Sequence, residues 1–540
     1  MRLRPFIAGA ALYVAIVAAV LVAVGKRTGF QQIYCLDDTY IHLAIAKNLV
    51  LTSTFGVIPH HFAAVASSVI WPFLLAAFSA IAGIHSVIPF VANLVISLLV
   101  LYAAQKLFRA LQPSAPEWMQ VTLQIALVLA TSLVMLTFAG MEHVLQILVD
   151  LLFLFFLVER DKPRAALLCC CALLVGATRY EGLFLVFVGC LLLLWRREIW
   201  VAFAAGIAGL GPALAMGAYS VAHGSHWLPN TLMVKATNPG QLRLRPAVFS
   251  PQEQALLCVY SLRQGLGELF LIACGLFAFG LFFRGLLSRR TQWMLAVYVG
   301  TAILHGQFSR LNWVYRYEGY LIALGLFVVF NAAADVWTRR AELSAKYMRP
   351  GAFAVSMLAV CLVFFIPRAR TNIREVAPRA AAIYDQQFQM ARFLSTYYET
   401  TNIAANDIGA ITFYGDHSDL LDLAGLASLD VTDSLAHKDF NTQRIRELAE
   451  KHGTRIAIAY PSWFKDSLAF PADWVQVGTW TIPRENRYYV GGTTVAFYAV
   501  HAQDAPALAA NLRAFSPHLP AQVSEAGMYK KVSNLLASAR

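Results

Sequence analysis

The sequence predicts a polytopic α-helical membrane protein with a C-terminal extracytoplasmic α/β domain. Of its 540 residues, 58% are hydrophobic and only 14% are charged, whereas a typical soluble protein carries about 25% charged residues. Long apolar runs fill the first part of the chain, and after Pro367 they give way to shorter helix and strand patterns. We therefore expect a transmembrane domain over residues 1–367 and a soluble periplasmic domain over residues 368–540.

Apolar runs separated by short basic clusters recur throughout residues 1–367. The runs predicted to cross the membrane are 5–25, 86–107, 119–139, 143–158, 165–178, 181–195, 199–222, 255–283, 291–305, 318–334 and 350–367. A further run, 67–84, is predicted not to cross, because a crossing there would place Lys106 and Arg109 outside, against the positive-inside rule. Trp71-Pro72 near its start suits an interfacial or re-entrant helix instead. We expect about eleven transmembrane helices plus juxtamembrane helices.

The net charge of +12 does not indicate a nucleic-acid partner. Lys and Arg fall in clusters between apolar runs, which is the distribution that the positive-inside rule predicts. Met1 to Gly25 has a basic start and a long apolar run without a clear small-residue cleavage site, which predicts an uncleaved signal anchor. With the basic clusters inside, the polar motifs fall on the extracytoplasmic face, and we expect the chemistry there.

Two adjacent carboxylates, Asp37 and Asp38, directly follow the first span. Carboxylates at the edge of a bilayer are costly to place and need a reason. One interpretation is structural: either aspartate accepts amide hydrogen bonds and caps the helix predicted over Thr39 to Val50. The other is general-base chemistry, since paired carboxylates raise each other's proton affinity. One aspartate suffices for a cap, and the motifs that follow favour the catalytic interpretation.

Other charged residues of the predicted outer face suit an anionic, lipid-linked substrate. Arg316 offers a planar fork for phosphate oxygens, and Lys235 is placed either to receive a lipid phosphate or to lie exposed near headgroups. Arg179 and Glu181 flank a tyrosine between two short spans, where two charges either pair structurally or serve a site. Glu142 heads a span, as a helix-start acid or as a site residue.

The sequence identifies no cofactor with certainty. The adjacent histidines His60-His61 point in different directions and have no spaced set of partner ligands, so we expect loop histidines. Binding of a divalent cation by Asp37, Asp38 and Glu142 stays open. No Walker loop or glycine-rich nucleotide fingerprint occurs between a strand and a helix. The eight cysteines form neither a disulfide framework nor a metal signature.

The soluble domain alternates between helix and strand patterns, as is typical of an α/β fold. Helices are predicted over 383–400, 441–452 and 505–515. Strands are predicted over 403–411, with a break at 406–409, and over 455–459, 474–482 and 493–500.

Taken in order, these segments resemble the GT-C superfamily of polytopic glycosyltransferases, which use polyprenyl-phosphate sugars. The likeness is to bacterial arabinofuranosyltransferase-like and mannosyltransferase-like proteins. An Asp-Asp-x-Tyr-Ile motif is matched at 37–41 and a Gly-Met-Glu motif at 140–142. The other matches are a Ser-Pro-Leu-Trp-like helix, loosely, at 67–72, Thr-Arg-Pro-Glu-Gly at 178–182 with Tyr180 in place of proline, Pro-Asn-Thr…Lys at 229–235, and two C-terminal segments at 406–410 and 421–426. The set covers most of the chain.

The resemblance implies a GT-C fold and roles for the two aspartates, and the chemistry of the other candidates suggests theirs. Asp37 is implied as the general base on the acceptor hydroxyl, with Asp38 positioning the acceptor or tuning the pKa of Asp37, and the reverse order stays open. The cations expected at the donor phosphate are Lys235, Arg316 and Arg179. The residues expected to orient the acceptor or hold those cations are Glu142, Glu181, His42, His60 and Asn230.

We therefore expect a bacterial inner-membrane enzyme that transfers a sugar, arabinofuranose- or mannose-like, from a polyprenyl phosphate to a cell-envelope glycan or glycolipid on the periplasmic side. A lipid-linked-sugar flippase or transporter is an alternative, but it requires polar residues through the bilayer, and the mid-span segments read as nearly all apolar. A non-catalytic membrane scaffold with a periplasmic binding domain and an oligosaccharide ligase using pyrophosphate-linked donors are further alternatives. Membrane lipid is an expected partner in every case.

Overall fold

The computed structural model describes residues 3–237, 266–282, 285, 287–309, 311, 314–340 and 350–530. It confirms a helical membrane domain followed by an α/β domain. Four described helices are long and apolar enough to cross a membrane: Arg4–Thr28, Ile88–Leu111, Ile199–Ala222 and Gly319–Thr338. Glu117–Ala130 and Leu133–Ala139 are bent by 42° relative to each other and make a fifth if they count as one span.

Other helices, of 14 to 20 residues, follow the remaining predicted spans up to residue 308. They are His143–Val158, Ala165–Thr178, Gly182–Trp195, Gly267–Phe282 and Arg289–Phe308. The predicted run 255–283 lies partly outside the described residues. The described helices match the predicted runs in position, whereas the total of about eleven crossings stays a prediction.

Two further helices lie between the first and second long spans. They are Asp38–Thr52, which we call the juxtamembrane helix, and Ile70–Ala82. Trp71 and Leu75 pack in one buried cluster with Ala46 of the juxtamembrane helix. Ile70–Ala82 has 13 residues and is about 20 Å long, short of the ~30 Å hydrocarbon core. Helices Ala165–Thr178 and Gly182–Trp195, which follow predicted spans, have only 14 residues each, so the non-crossing of run 67–84 stays a prediction.

A single helix, Pro350–Asp385, joins the membrane domain to the soluble domain. Its 36 residues give a length of about 54 Å, which exceeds the thickness of the hydrocarbon core. The predicted domain boundary at 367/368 therefore falls inside a continuous helix. The amphipathic helix predicted over 383–400 is broken at Gln386 and resumes as Gln387–Tyr397.

The soluble domain is built on a six-stranded mixed sheet. Its strands are β1 (Ile403–Ala405), β2 (Leu420–Asp422), β3 (Ile456–Ala459), β4 (Val475–Thr481), β5 (Thr494–Ala499) and β6 (Ser524–Gly527). The order across the sheet is β2-β1-β3-β5-β4-β6. The first three strands are parallel, and β5, β4 and β6 continue the sheet antiparallel.

The structure confirms most of the elements predicted for this domain. Helices Thr442–Lys451 and Ala505–Phe515 and strands β3, β4 and β5 lie where their patterns predict them. The strand predicted over 403–411 is wrong beyond Ala405, because Gly409–Tyr414 is helical. The elements that sequence reasoning missed are β2, helix Leu429–His437 and β6.

The parallel part of the sheet directs its carboxyl ends toward the membrane domain. Helix Gly409–Tyr414 follows β1 and contacts Asp37, while Leu426, after β2, contacts Asn230. Ligand sites of open α/β sheets lie at this edge. The sheet thus brings loops of the soluble domain into contact with the membrane domain.

Candidate active site

Asp37 is bound to the soluble domain and does not cap its own helix. Its Oδ2 accepts a hydrogen bond from Gly409 N at 2.5 Å, and its Oδ1 accepts one from Ala410 N at 2.8 Å. Asp37 precedes the juxtamembrane helix but makes no side-chain cap bond there, so the cap interpretation is wrong for Asp37, whereas Asp38 lies in the first turn of that helix. The carboxylate instead meets the positive end of helix Gly409–Tyr414, which we call the docking helix.

Lys47 holds the opposite end of the docking helix. Its ammonium donates to the carbonyl oxygens of Thr412, Phe413 and Gly415 at 3.0, 3.0 and 3.1 Å and to Asp416 Oδ1 at 2.9 Å. A cation at the carboxyl end of a helix complements the dipole and satisfies terminal carbonyls. Both ends of the docking helix are therefore matched in charge by residues ten positions apart on the membrane side.

Asp407 forms an acid pair with Asp37. Its Oδ2 accepts from Tyr460 Oη at 2.6 Å and from Gln387 Nε2 at 2.8 Å, and its carboxyl group lies close enough to that of Asp37 for each to shift the pKa of the other. Burial, followed by the charge of Asp407, raises the pKa of Asp37 well above its usual range. Burial also raises the pKa of Asp407, although the bonds to Asp37, Tyr460 and Gln387 lower it in part.

Asp38, unlike Asp37, is paired with Arg316 of the membrane domain. Its Oδ2 lies 2.8 Å from Arg316 Nη2; its side chain is 45% exposed, whereas that of Arg316 is 4% exposed. Arg316 also donates to Tyr317 Oη at 3.1 Å and to Met141 Sδ at 2.7 Å. Arg316 Nε is buried without a hydrogen-bond partner among the described residues. A buried guanidinium beside a half-exposed carboxylate can accept an anion.

A second charged cluster is formed by Glu142, Arg179 and Glu181. Arg179 Nη1 donates to Glu142 Oε1 at 2.6 Å, and Arg179 makes two bonds to Glu181 at 2.9 and 2.8 Å. Arg179 and Glu181 are therefore paired, and the site role that the sequence analysis also allowed for them stays a prediction. Ser67 Oγ lies 3.3 Å from Arg179 Nη1 and 3.5 Å from Glu142 Oε1.

Tyr317 connects the two clusters. The guanidinium carbon of Arg179 lies 5.4 Å from the centre of its ring, and that of Arg316 lies 4.9 Å away. Both distances are within the range of a cation–π contact. The two arginines therefore share one aromatic neighbour, and Asp38, Arg316, Arg179 and Glu142 belong to one site.

Of the remaining candidate residues, only some lie in this site. His42 Nε2 lies 3.7 Å from Glu142 Oε2, so His42 joins the site. Buried Asn230 donates to Leu426 O at 3.1 Å and lies where the soluble domain meets the membrane domain. His60 is exposed in a turn with φ 64°, and no described contact joins it to the cluster. The side chain of Lys235 lies outside the described part of the structure.

Sequence reasoning assigned no role to Asp407, Tyr460 or Lys47. The segment 406–409 stood out as a motif, but a pattern in the soluble domain does not tell which residue of the membrane domain it contacts. Lys47 lies within a helical pattern and carried no signal of its own. Lys47 stands out only through its contacts with residues more than 300 positions away in the sequence. Asp407 stands out only because it lies beside Asp37.

The bundle beneath the site is less apolar than the sequence analysis expected. Helix His143–Val158 carries buried His143, Gln146 and Asp150 at helical spacing. Neither oxygen of Asp150 has a hydrogen-bond partner among the described residues. On neighbouring helices, His305 Nδ1 lies 3.0 Å from Tyr320 Oη. The expectation that mid-span segments are nearly all apolar is wrong at this place, which weakens the sequence argument against a transporter.

The described residues contain no group of three or more His, Cys, Asp or Glu that could hold a metal ion. Asp37, Asp38 and Glu142, which the sequence left open as cation ligands, therefore do not form such a group. Asp37 is committed to the docking helix, Asp38 to Arg316, and Glu142 to Arg179.

A family model described as a domain of unknown function (DUF8728) matches residues 373–498. No curated protein matches the chain. Among solved structures, ArnT from Cupriavidus metallidurans bound to undecaprenyl phosphate is similar at 14% identity and TM-score 0.47, over 91% of this chain and 98% of that one. The Archaeoglobus fulgidus oligosaccharyltransferase in its apo form is similar at 11% identity and TM-score 0.46, over 91% and 75%. AglB from the same organism, in complex with an inhibitory peptide and a dolichol-phosphate, has 12% identity and TM-score 0.45, over 91% and 74%.

Proposed function

We propose that this protein is a membrane glycosyltransferase that moves a sugar from a polyprenyl phosphate to an extracytoplasmic glycan or glycolipid. The observation that carries the proposal is the Asp38–Arg316 pair, in which a half-exposed carboxylate lies 2.8 Å from a buried guanidinium. Glycosyl transfer from a lipid phosphate needs a base for the acceptor and a cation for the leaving phosphate. The ordered GT-C-like motifs of the sequence support the same reaction class.

In this proposal Asp38 is the general base, and Asp37 positions it. Both oxygens of Asp37 already accept backbone hydrogen bonds, and the residue is 7% exposed, whereas Asp38 is open on one side. This assignment reverses the order that the resemblance implies for the two aspartates. The donor phosphate competes with Asp38 for Arg316, so donor binding frees the carboxylate that must accept a proton.

The step balances with groups that the site and its substrates supply. The acceptor hydroxyl gives its proton to Asp38 while its oxygen bonds to the anomeric carbon of the sugar. The bond from that carbon to the phosphate oxygen breaks, and the electron pair stays on the polyprenyl phosphate. Arg316, with Arg179 across the Tyr317 ring, stabilises the added negative charge, and burial strengthens this interaction.

The other candidates take supporting roles. Glu142 and Glu181 fix the orientation of Arg179 through three short bonds, and His42 lies against Glu142. Asn230 lies where loop 423–428 of the soluble domain meets the membrane domain, so we propose it at the acceptor side. Lys235 is proposed as a further phosphate contact on its motif alone, and His60 as a loop contact to the acceptor.

We further propose a bacterial inner-membrane location with the site and the soluble domain on the periplasmic side. The positive-inside distribution of Lys and Arg supports this orientation. The donor sugar is proposed to be arabinofuranose- or mannose-like on the resemblance alone.

Sugar transfer by purified variants tests the proposal. Wild type, Asp38→Asn and the control Asp439→Asn, which alters an exposed acid of the soluble domain, are given a panel of polyprenyl-phosphate sugars and a crude cell-envelope acceptor. We expect transfer by wild type and control and a loss of at least ~100-fold in Asp38→Asn. Equal transfer by all three would remove Asp38 as the base.

A lipid-linked-sugar transporter is the second candidate, and the buried polar residues around Asp150 favour it. Proteoliposomes containing a fluorescent polyprenyl-phosphate sugar separate the two activities. Movement of the lipid between leaflets without any transfer to an acceptor would support the transporter and contradict the enzyme.

A further inference from the structure

The soluble domain is attached to the membrane domain through a short helix that is held at both ends. Asp37 accepts two amide hydrogen bonds at the amino end of the docking helix, and Lys47 donates to three carbonyls at its carboxyl end. Tyr40 packs against Phe413 and Tyr414 between the two ends, with ring centres 6.1 and 5.7 Å apart. All these contacts join the juxtamembrane region to the soluble domain.

The approach at Asp37 is so close that only glycine fits opposite it. A Cβ added to Gly409 would collide with the backbone oxygen of Asp37 and lie 2.6 Å from its Oδ2. The position of the Asp37 carboxylate is therefore fixed by the docking helix. Because Asp38 is the next residue, the same contact fixes the position from which the Asp38 side chain extends toward Arg316.

A second acid, Asp407, lies at this contact. The oxygens of Asp37 accept from two amides, and Asp407 accepts from Tyr460 and Gln387. A hydrogen bond between the two carboxyl groups exists only if one of them carries a hydrogen. Asp37 is buried and Asp407 is partly buried, and two such carboxylates side by side without that proton would repel each other.

We infer that Asp37 and Asp407 share one proton, and that Asp407 is a positioning residue whose proton-dependent bond to Asp37 docks the soluble domain and holds Asp38 at the site. The activity part of this inference rests on the proposed glycosyl transfer, while the docking part stands apart from it. Asp407 reaches Asp38 only through Asp37 and the backbone. It has no direct role in the reaction.

The charged and titratable groups around the pair support a shared proton. Asp38 follows Asp37 in sequence, and its charge disfavours ionisation of Asp407. Tyr40, Tyr460 and Asp422 face the pair from the juxtamembrane helix, from the end of β3 and from the end of β2, respectively. Lys47 lies at the far end of the docking helix.

The sign of the pH dependence follows from which state binds the proton more tightly. Burial and mutual repulsion raise the pKa of both aspartates in the docked state, while an undocked, solvated aspartate has a pKa of about 3.9. The docked state therefore holds more protons than the undocked one. Docking weakens as the pH rises above about 4, until the pair loses its proton in the docked state as well.

Hydrogen exchange of the docking helix in the full-length protein in detergent tests this inference. Protection of the amides of 409–414, corrected for intrinsic exchange, is followed from pH 5 to pH 9. In wild type we expect protection to fall with rising pH, by up to about tenfold per pH unit. In Asp407→Asn we expect a nearly flat profile, because the amide can donate to Asp37 at any pH. The control Asp439→Asn is expected to keep the wild-type slope.

Three results would overturn the inference: a flat wild-type profile, an unchanged slope in Asp407→Asn, or loss of the slope in Asp439→Asn. If Asp407→Asn fails to fold, Gly409→Ala serves as a second variant, compared with Gly211→Ala, whose added Cβ meets nothing within 4 Å. Gly409→Ala is expected to lower protection at every pH, and unchanged protection would contradict the docked geometry.

Activity is read separately from docking. If sugar transfer occurs, its pH profile in Asp407→Asn is expected to lose the decline that wild type shows at high pH. Absence of sugar transfer in all variants, together with the expected exchange profiles, would refute the proposed function and leave the shared proton supported.

Discussion

Asp37 and Asp38 are neighbours in sequence, but they belong to two regions that are built differently. Around Asp37 the docking contact is buried, and both carboxylate oxygens accept backbone hydrogen bonds. Around Asp38 the carboxylate is 45% exposed and faces Arg316 across 2.8 Å. Successive residues at the start of a helix point about 100° apart, so one dipeptide serves both regions. The comparison shows that the buried Asp37 fixes the position of the dipeptide, whereas a substrate can reach the half-exposed carboxylate of Asp38.

The largest expected effect separates these two acids by activity. Asp38→Asn is expected to lower the rate of sugar transfer by ~10²–10⁴, the usual contribution of a general base, and to leave the protection of the docking helix unchanged. Asp37→Asn is expected to lower that protection as well as the rate. Measuring kcat and hydrogen exchange on both variants checks the comparison, which fails if Asp38→Asn also loosens the docking helix.

Arg316→Lys tests whether the open region binds a phosphate through a fork. Lysine keeps the positive charge but loses the planar pair of donors, so we expect a fall in kcat/KM of ~10–10². Inorganic phosphate or polyprenyl phosphate is expected to inhibit wild type more strongly than the variant. The matched control is Arg513→Lys, which lies in helix Ala505–Phe515 of the soluble domain. Equal inhibition of Arg316→Lys and wild type would contradict a phosphate contact.

The buried region is tested at its other end by Lys47→Met. The substitution keeps an unbranched apolar stem and leaves three carbonyls at the end of the docking helix without their donor. Hydrogen bonds from a charged group contribute about 1.5–3 kcal/mol each and are not additive, so we expect docking to weaken by about 3 kcal/mol. Exchange of the 409–414 amides measures this change. Lys451→Met, at an exposed ammonium paired with Asp430, is the control and is expected to show no change.

The sequence predicted the residues around Asp38 and Arg316 better than the contact around Asp37, and the reason is physical. Glu142, Arg179, Glu181 and Arg316 are costly charges at the edge of apolar segments, so their presence alone indicates a site. The structure brings them together around Tyr317. Their spacing in the sequence does not predict that arrangement, but the charge of each residue indicates that it belongs to a site.

The docking contact was not predictable, because it depends on distant parts of the chain meeting. Gly409 was read as part of a broken strand, and only the approach of Asp37 explains why glycine stands there. Helix Pro350–Asp385 likewise runs through the predicted domain boundary, since Pro367 and Pro378 are accommodated within it. The composition changes at residue 367, which lies within this helix.

The smallest expected effect concerns a second contact between the domains, His226 with Asp433. His226 Nε2 lies 2.6 Å from Asp433 Oδ1, with side chains 34% and 42% exposed. Exposed pairs contribute about 0.2–1 kcal/mol and are screened by salt. His226→Ala is therefore expected to change the protection of the docking helix by less than about fivefold, and 1 M salt is expected to remove most of that difference. His437→Ala, an exposed histidine on the same helix as Asp433, is the control. A loss as large as that of Lys47→Met would mean that docking is spread over both contacts and that the buried region around Asp37 does not dominate it.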